Sequence, residues 1–139
     1  EAERDLIDTS FVLVQVDYLR NGGRCSGVAA VGAKLLHIKP CIEVEKGVMV
    51  VGKKYRGSFA RCLEHYVKDK LEDRSLVDFS RVILVYSPCE PGVAEQMLNY
   101  LGTVAEFKET LVCTAGSTIC CHCGPNTLGI IFKRKTPKA

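Results

Sequence analysis

The sequence lacks two features: a long apolar run, as found in membrane-spanning proteins, and a strong excess of positive charge, as found in nucleic-acid-binding proteins. Its apolar runs, such as Phe11 to Val16 and Val48 to Val51, are far shorter than the roughly 20 residues that a membrane-spanning helix needs. We therefore expect no stable membrane insertion. Charge is nearly balanced, with 19 basic and 16 acidic residues, and the one basic run lies at Lys133 to Lys135. That distribution argues against nucleic acid as a partner.

Cysteine is not abundant enough to indicate a disulfide-rich scaffold. The eight cysteines, about 6% of the 139 residues, fall below the roughly 8–10% that is typical of such small secreted domains. Cys41, Cys62 and Cys113 lie within apolar runs, where a reduced cysteine behaves as a small hydrophobic residue. We interpret these three as packing residues and expect a reducing, cytoplasmic environment.

The length and composition fit one ordinary globular domain. With 139 residues and 47% hydrophobic content, residues 1–139 can bury a core as a single unit. The chain lacks an initiating methionine and opens on the polar stretch EAERDLIDTS, which we interpret as the last turn of a helix. We therefore expect a piece of a longer protein.

Hydrophobic periodicity predicts alternating strands and helices. The predicted strands are Phe11–Val16, the two arms of a hairpin within Cys41–Gly52 that turns at Glu45-Lys46-Gly47, Arg81–Ser87, Phe107–Cys113 and Leu128–Lys133. The predicted helices are a short turn at Asp17–Arg20, Ser26 to about Leu36, Ser58–Leu71 and Pro91–Leu101, which ends at Gly102. Because hairpin and crossover connections are mixed, we predict a two-layer α+β domain.

The stretch ICCHCGPNTLG, Ile119 to Gly129, groups three cysteines around one histidine. We predict a short helix here, with Ser117 as its N-cap and Gly124 as its C-cap. Cys120 and Cys123 share a face of that helix, but a zinc site needs two more ligands, and no second C-x-x-C or H-x-x-x-H occurs. The helix end also lacks the dipole that lowers a redox thiol pKa, so we interpret the cysteines as packing residues. The alternative function, a thiol-based redox or metal-sensing module, would use Cys120, Cys121 and Cys123.

A second motif, NGGRCSG from Asn21 to Gly27, could bind an anion. Its two adjacent glycines allow backbone N–H groups to converge on one point, and Arg24 is a bidentate donor suited to carboxylate or phosphate. Ser26 begins the next helix, whose N-terminus also favours negative charge. The alternative is a helix C-cap followed by an N-cap, with Arg24 solvated. His122 lies in a last helical turn, where a protonated histidine is favoured, and could be a second contributor.

The helix predicted after this motif is apolar around nearly its whole circumference. Lys34 is its one charged residue, so something must pack closely against it. That partner is either the sheet alone or an acyl chain in a tunnel with an anion site at its mouth. The candidate residues lining such a tunnel are Val28, Val31, Leu35 and Ile119.

Three stretches of the sequence resemble the DegV family of bacterial fatty-acid-binding proteins. They are YLRNGGRCSGVAAVGAKLLHIKPCIEV (Tyr18 to Val44), GKKYRG (Gly52 to Gly57) and HCGPNTLGIIF (His122 to Phe132). They correspond to the C-terminal half of the family, so residues 1–139 would be the C-terminal lipid-binding domain of a two-domain protein. The resemblance implies a mostly antiparallel sheet with helices packed on it, and a bound fatty acid with no cofactor.

The resemblance also implies a function and roles for particular residues. Such proteins hold one long-chain fatty acid with its tail buried, and several are non-catalytic subunits that present it to a separate fatty-acid kinase, which forms acyl phosphate. By motif position, Arg24 and His122, together with Gly23 and Ser26, would lie near the carboxylate or phosphate. Arg56 would correspond to a surface arginine that docks on the kinase.

Overall fold

The computed structural model of the protein describes residues 3–24, 27 and 37–138. Within these ranges the strands are β1 (Ile7–Leu13), β2 (Ile38–Glu45), β3 (Val48–Arg56), β4 (Val77–Tyr86), β5 (Glu109–Thr114) and β6 (Thr127–Arg134). The helices are α1 (Asp17–Asn21), α2 (Phe59–Leu71), α3 (Val93–Val104) and α4 (Ser117–Cys123), and Arg4–Leu6 form a 3-10 turn. No helix in these described ranges is long and apolar enough to cross a membrane.

The described strands form one sheet in the order β3-β2-β1-β6-β4-β5. Neighbouring strands are antiparallel except β4 and β5, which are parallel because α3 lies in the connection between them. The β2–β3 hairpin turns at Lys46 and Gly47, whose φ angles are 50° and 80°, as its sequence predicts. The α+β fold, with a mostly antiparallel sheet and helices packed on it, is confirmed.

One face of the sheet packs against α2 and α3, and we call it the α2/α3 face. Alternate residues of β1, β4 and β6 point to this face because successive side chains of a strand alternate in direction. The Ser58 side chain caps α2 by accepting a hydrogen bond from the Arg61 N–H at 3.4 Å. The side chains buried completely in this core include Val12, Leu63, Tyr66, Val67, Val82, Leu84, Met97, Leu128 and Ile130.

The opposite face, which we call the α1/α4 face, has a smaller core. Leu19 of α1 and Cys123 of α4 pack with Leu13 and Ile42 of the sheet. The partly buried residues at the margin of this core are Phe11, Met49 and Val51. The α1/α4 face continues along β1 to Ile7, whose side chain is exposed. The described residues therefore cover the two faces to very different degrees.

The predicted boundaries of β1 are wrong. The strand runs over Ile7–Leu13 instead of Phe11–Val16, and a 3-10 turn precedes it where the last turn of a helix was expected. The first half of the strand contains the polar residues Asp8 and Ser10, so no continuous apolar run marks it in the sequence. Both are buried on the α2/α3 face, where they meet polar partners from distant parts of the chain.

Three further predictions at helix ends and edge strands are corrected by the structure. Helix α3 continues to Val104 through Gly102, which faces solvent, so that its missing side chain costs no packing. The N-cap of α4 is Gly116, and Ser117 is the first helical residue. Cys113 is exposed and is not a packing residue, because β5 is an edge strand whose side chains are all exposed. The predicted helix from Ser26 to Leu36 lies outside the described residues.

Candidate functional site

Helices α1 and α4 contact each other at the end of the sheet where β1 stops and β6 begins. The contact depends on Gly124, the predicted C-cap of α4, which has a φ angle of 75°. A Cβ atom at this position would lie 2.5 Å from Cδ2 of Tyr18 in α1. Glycine is therefore required both by the backbone conformation and by the close approach of the two helices.

The same contact places His122 against the turn that follows α1. The imidazole ring lies so close to Gly22 that a Cβ atom there would be 2.5 Å from Nδ1 of His122. Gly22 is followed directly by Gly23 and Arg24, both of which are exposed. The fold thus brings together the two motifs that the sequence singles out as possible contributors to an anion site.

The backbone N–H groups of this turn already have partners. Those of Gly22, Gly23 and Arg24 donate to carbonyl oxygens of α1 at 3.0, 3.2 and 3.3 Å. They form the C-terminal cap of α1, as the second interpretation of the motif expects, and they do not converge on an external point. The groups that could still meet an anion here are the Arg24 guanidinium and the His122 imidazole.

An apolar path leads away from this turn along β1. On the α1/α4 face Leu13, Phe11, Thr9 and Ile7 follow one another, because alternate residues of a strand share a face. The path is about 20 Å long at about 3.3 Å per residue. Gly129 of β6 lies opposite Phe11, and a Cβ atom on it would come within 2.3 Å of the Ser10 carbonyl oxygen and 2.7 Å of the Phe11 Cβ. Glycine is therefore required here by the close approach of β1 and β6.

A cleft of about 1100 Å³ lies at the far end of the path. It is bounded by the start of β1, the β2–β3 hairpin and the last described residues of the chain. Its apolar lining comes from Ile7, Val44, Val48, Val50 and Pro137. Ile7 and Val44 belong to the α1/α4 face, so the cleft adjoins the apolar path.

A cluster of charged side chains lies beside this cleft. Asp8 is 1% exposed, and its Oδ2 lies 3.4 Å from Nη1 of Arg134 and 3.3 Å from Nζ of Lys138. Glu43 lies 3.0 Å from Nζ of Lys70 and accepts a 2.8 Å hydrogen bond from Lys138. Burial opposes the ionisation of Glu43, but hydrogen bonds from Lys138 and Lys70 outweigh it and lower the pKa of this carboxyl.

Sequence reasoning missed this charged cluster because its members come from separate segments of the chain. The available signal was the period-two spacing of Asp8, Ser10 and Val12, which places all three on one face of a strand. Recognising that pattern would have extended β1 and pointed to a buried carboxylate in need of counter-charges.

The described cysteines are free thiols, and Cys121 is exposed and so is not the packing residue that the sequence predicts. Cys41 and Cys62 are buried, as expected. The Cys120 Sγ donates to the Ala115 carbonyl oxygen at 3.4 Å. Burial, and to a lesser degree the neighbouring Cys120, raises the pKa of Cys123 to about 11, which disfavours the reactive thiolate. Within the described ranges no three His, Cys, Asp or Glu side chains are grouped as a metal site requires.

The remaining predicted residues are distributed as follows. Ile119, expected to line an acyl chain, is 51% exposed on α4. Arg56 is exposed on the edge strand β3, at the same end of the sheet as α1 and α4, about 10 Å from β1 at the usual strand spacing. The other predicted contributors, Ser26, Val28, Val31 and Leu35, lie outside the described residues.

Comparisons with known proteins cover nearly the whole chain. The family model described as "Uncharacterised protein, DegV family" matches residues 1–135. A fatty acid-binding protein from Thermotoga maritima is 33% identical over 128 residues, which are 90% of this chain and 44% of that protein. The solved structure of a DegV lipid-binding protein from the same organism matches with a TM-score of 0.74 and 29% identity, over 96% of this chain and 45% of that one.

A further solved structure is the fatty acid kinase B3 protein of Streptococcus pneumoniae, loaded with linoleic acid. It matches with a TM-score of 0.76 over 95% of this chain and 46% of that one, and its 17% identity supports the fold alone. The chain spans a little under half the length of the curated relatives it matches. The match of the family model from residue 1 to residue 135 shows that the chain belongs to the DegV family.

Proposed function

We propose that this chain binds a long-chain fatty acid on its α1/α4 face, with the carboxylate near His122 and Arg24. The observation that carries the proposal is the packing of His122 on Gly22, which puts an imidazole and the Arg24 turn at one end of an apolar path. The tail of the ligand then follows β1 towards Ile7. The names of relatives support the choice of ligand, since the Thermotoga maritima protein is a fatty acid-binding protein.

The chemistry of a fatty acid calls for such an arrangement. Burial of its tail is favourable because apolar surface is removed from water. Burial of its carboxylate without hydrogen-bonding partners costs several kcal/mol of free energy. Arg24 is a permanent cation and a bidentate donor, so it satisfies the carboxylate at any physiological pH. His122 supplies an imidazole N–H that can donate a hydrogen bond to a carboxylate or to the more highly charged acyl phosphate.

The proposal extends to a place in fatty-acid activation. The Streptococcus pneumoniae relative is named as a protein of fatty acid kinase, and we propose that this chain likewise presents its bound fatty acid to a separate kinase. The chain itself is then a non-catalytic subunit without a cofactor. Arg56 is the proposed contact with the kinase, because an exposed guanidinium at the same end of the sheet as His122 could pair with an acidic partner surface. A cytoplasmic setting follows from a kinase partner and agrees with the free thiols.

The binding proposal is tested by measuring fatty acid carried by the intact protein. Native mass spectrometry of the purified wild type should show one fatty acid per chain. His122→Ala and Arg24→Ala should each weaken fatty-acid binding about tenfold or more, because each removes a hydrogen bond to a charged group. His65→Ala is the matched control, since His65 is exposed on α2 on the other side of the sheet. Equal binding by all four proteins would contradict the placement of the carboxylate.

The kinase proposal has a separate test. Arg56→Ala in the intact protein should leave fatty-acid retention unchanged and reduce acyl phosphate formation by the kinase. Arg81→Ala is the control, because it removes an exposed arginine whose ion pair with Glu109 contributes little. A loss of fatty-acid retention in Arg56→Ala would show that this arginine serves the ligand site and not the kinase.

A further inference from the structure

The last described residues of the chain, 135–138, lie across the end of the sheet, and we call this segment the strap. It leaves β6 with the Lys135 N–H donating to the Leu76 carbonyl oxygen at 2.8 Å. At its other end the Lys138 ammonium group donates to Glu43 at 2.8 Å and lies 3.3 Å from Oδ2 of Asp8. The strap is therefore attached at both ends to elements that are distant from it in sequence.

The attachment at Lys138 is needed by the carboxylates that it meets. Asp8 is almost fully buried, and its Oδ1 has no hydrogen-bond partner among the described residues, its nearest cation being Lys70 at 3.7 Å. Lys70 is shared with Glu43, and Arg134 reaches Oδ2 of Asp8 from 3.4 Å. Two carboxylates thus depend on three cations, of which Lys138 is one that contacts both. Removing a partner from a buried charge is costly, so the strap is held firmly in this position.

The strap also forms part of the wall of the large cleft. Pro137 and Lys138 line it, facing a lining that includes Ile7, Val44 and Val48. This cleft lies at the end of β1 opposite to His122, about 20 Å away along the strand at about 3.3 Å per residue. An acyl chain with its carboxylate at His122 would point its methyl end at this wall.

We propose that the strap closes the far end of the acyl path and sets the length of fatty acid that this protein accepts. The proposal rests on the proposed function, because it requires a fatty acid on the α1/α4 face. Glu43 and Asp8 point to the α2/α3 face, so Lys138 holds the strap from that side of the sheet end. Pro137 lines the cleft together with Ile7 and Val44 of the α1/α4 face and is the rigid apolar part that the acyl chain would meet. A chain that is too long must push the strap away and break these ion pairs, whereas a shorter chain leaves them intact.

The test is a competition among saturated fatty acids of increasing length for the intact protein, read by native mass spectrometry. Lys138→Gln should release the strap and shift the profile towards longer chains. Each additional buried methylene group should change relative binding by about fourfold. Lys135→Gln is the matched control, because it removes the same charge from the same segment at an exposed position. Lys138→Arg keeps the charge and should retain the wild-type profile.

The outcomes separate this proposal from the one it rests on. A wild type that binds no fatty acid would contradict the proposed function. A wild type that binds fatty acid, with the same length profile in Lys138→Gln and Lys135→Gln, would overturn the role of the strap alone. Thermal unfolding of each variant shows whether it is folded, and if Lys138→Gln is not, Pro137→Gly must give the shift to longer chains for the proposal to stand.

Discussion

The two faces of the sheet are built from the same strands but are covered very differently. On the α2/α3 face Leu84 and Ile130 are 0% exposed, and the described helices seal them completely. On the α1/α4 face Ile83 and Ile131, their neighbours on the same strands, and Phe11 of β1 are only partly buried. Short helices cover one end of this second face, and a cleft lies at the other.

The difference shows how the protein separates stability from its proposed function. Among the described residues most of the buried apolar surface lies on the α2/α3 face, so this face supplies the larger part of their hydrophobic stabilisation. On the α1/α4 face the described residues leave apolar surface uncovered, and a ligand can supply the missing contacts. Mutations on the first face should therefore act on unfolding, and mutations on the second should act on binding.

The largest expected effect compares two leucines on opposite faces of adjacent strands. Leu84→Ala should lower the free energy of unfolding by about 2–5 kcal/mol, because it leaves a cavity in a sealed core. Leu111→Ala deletes the same atoms from an exposed edge strand and should cost less than about 1 kcal/mol. Urea unfolding of the two variants measures both values. Similar losses would contradict the complete sealing of Leu84 in the α2/α3 core.

Tyr66→Phe should have the next largest effect, again on the α2/α3 face. The buried Tyr66 hydroxyl donates to the Ser10 carbonyl oxygen at 2.8 Å and accepts from the Ile130 N–H at 3.0 Å. Removing it leaves both groups short of a partner and should cost about 2–3 kcal/mol. Tyr100→Phe is the control, because the Tyr100 hydroxyl makes no hydrogen bond within the described part of the chain. Fatty-acid binding by folded Tyr66→Phe should equal that of the wild type.

The charged cluster predicts a pH effect of intermediate size. Although burial opposes ionisation of Glu43, its lysine partners lower the pKa of this carboxyl below the ordinary 4.5. The folded protein then binds fewer protons than the unfolded one, so this stabilisation is present above pH 4.5 and is lost as the pH falls through the lowered pKa. Between about pH 6 and about pH 3 the wild type should lose more stability than Glu43→Gln in urea unfolding. An equal loss in both would contradict the lowered pKa, and the exposed Glu106→Gln should behave as the wild type does.

Gly22→Ala should have the smallest effect on stability and a clear effect on the candidate site. Its backbone φ of −78° accepts alanine, but the new Cβ atom would lie 2.5 Å from Nδ1 of His122 and displace the ring. We expect less than about 1 kcal/mol of destabilisation together with weaker fatty-acid binding. Gly102→Ala is the control, because Gly102 lies within α3 and a Cβ atom on it would meet no other atom within 4 Å. Unchanged binding in folded Gly22→Ala would argue against a role for the His122 position.

The parts of the fold that could be predicted from sequence have local signals. Helix α2 shows apolar spacing and a Ser58 cap within its own residues, and the β2–β3 hairpin shows β-branched runs about Lys46-Gly47. The first half of β1 could not be predicted in this way. Asp8 and Ser10 are acceptable in a buried strand only because Arg134, Lys138 and Tyr66 come from elsewhere to meet them.

In the candidate site, too, the features with a local sequence signal could be predicted and those that depend on distant contacts could not. His122 and the Arg24 turn were selected by motif, and the glycines that join them, Gly22 and Gly124, are visible in the sequence. Their close contacts with His122 and Tyr18 depend on how α1 and α4 pack, which no local pattern specifies. The strap and the cleft depend on contacts between the chain's last described residues and its first strand, so only the folded structure reveals them.

The most direct test of the central claim is a crystal structure of the intact protein with a long-chain fatty acid bound. We expect the acyl chain to lie along β1 on the α1/α4 face, with its carboxylate within hydrogen-bonding distance of His122 or Arg24 and its methyl end near Pro137. An acyl chain on the α2/α3 face, or one whose carboxylate lies at the Ile7 end of β1, would contradict it.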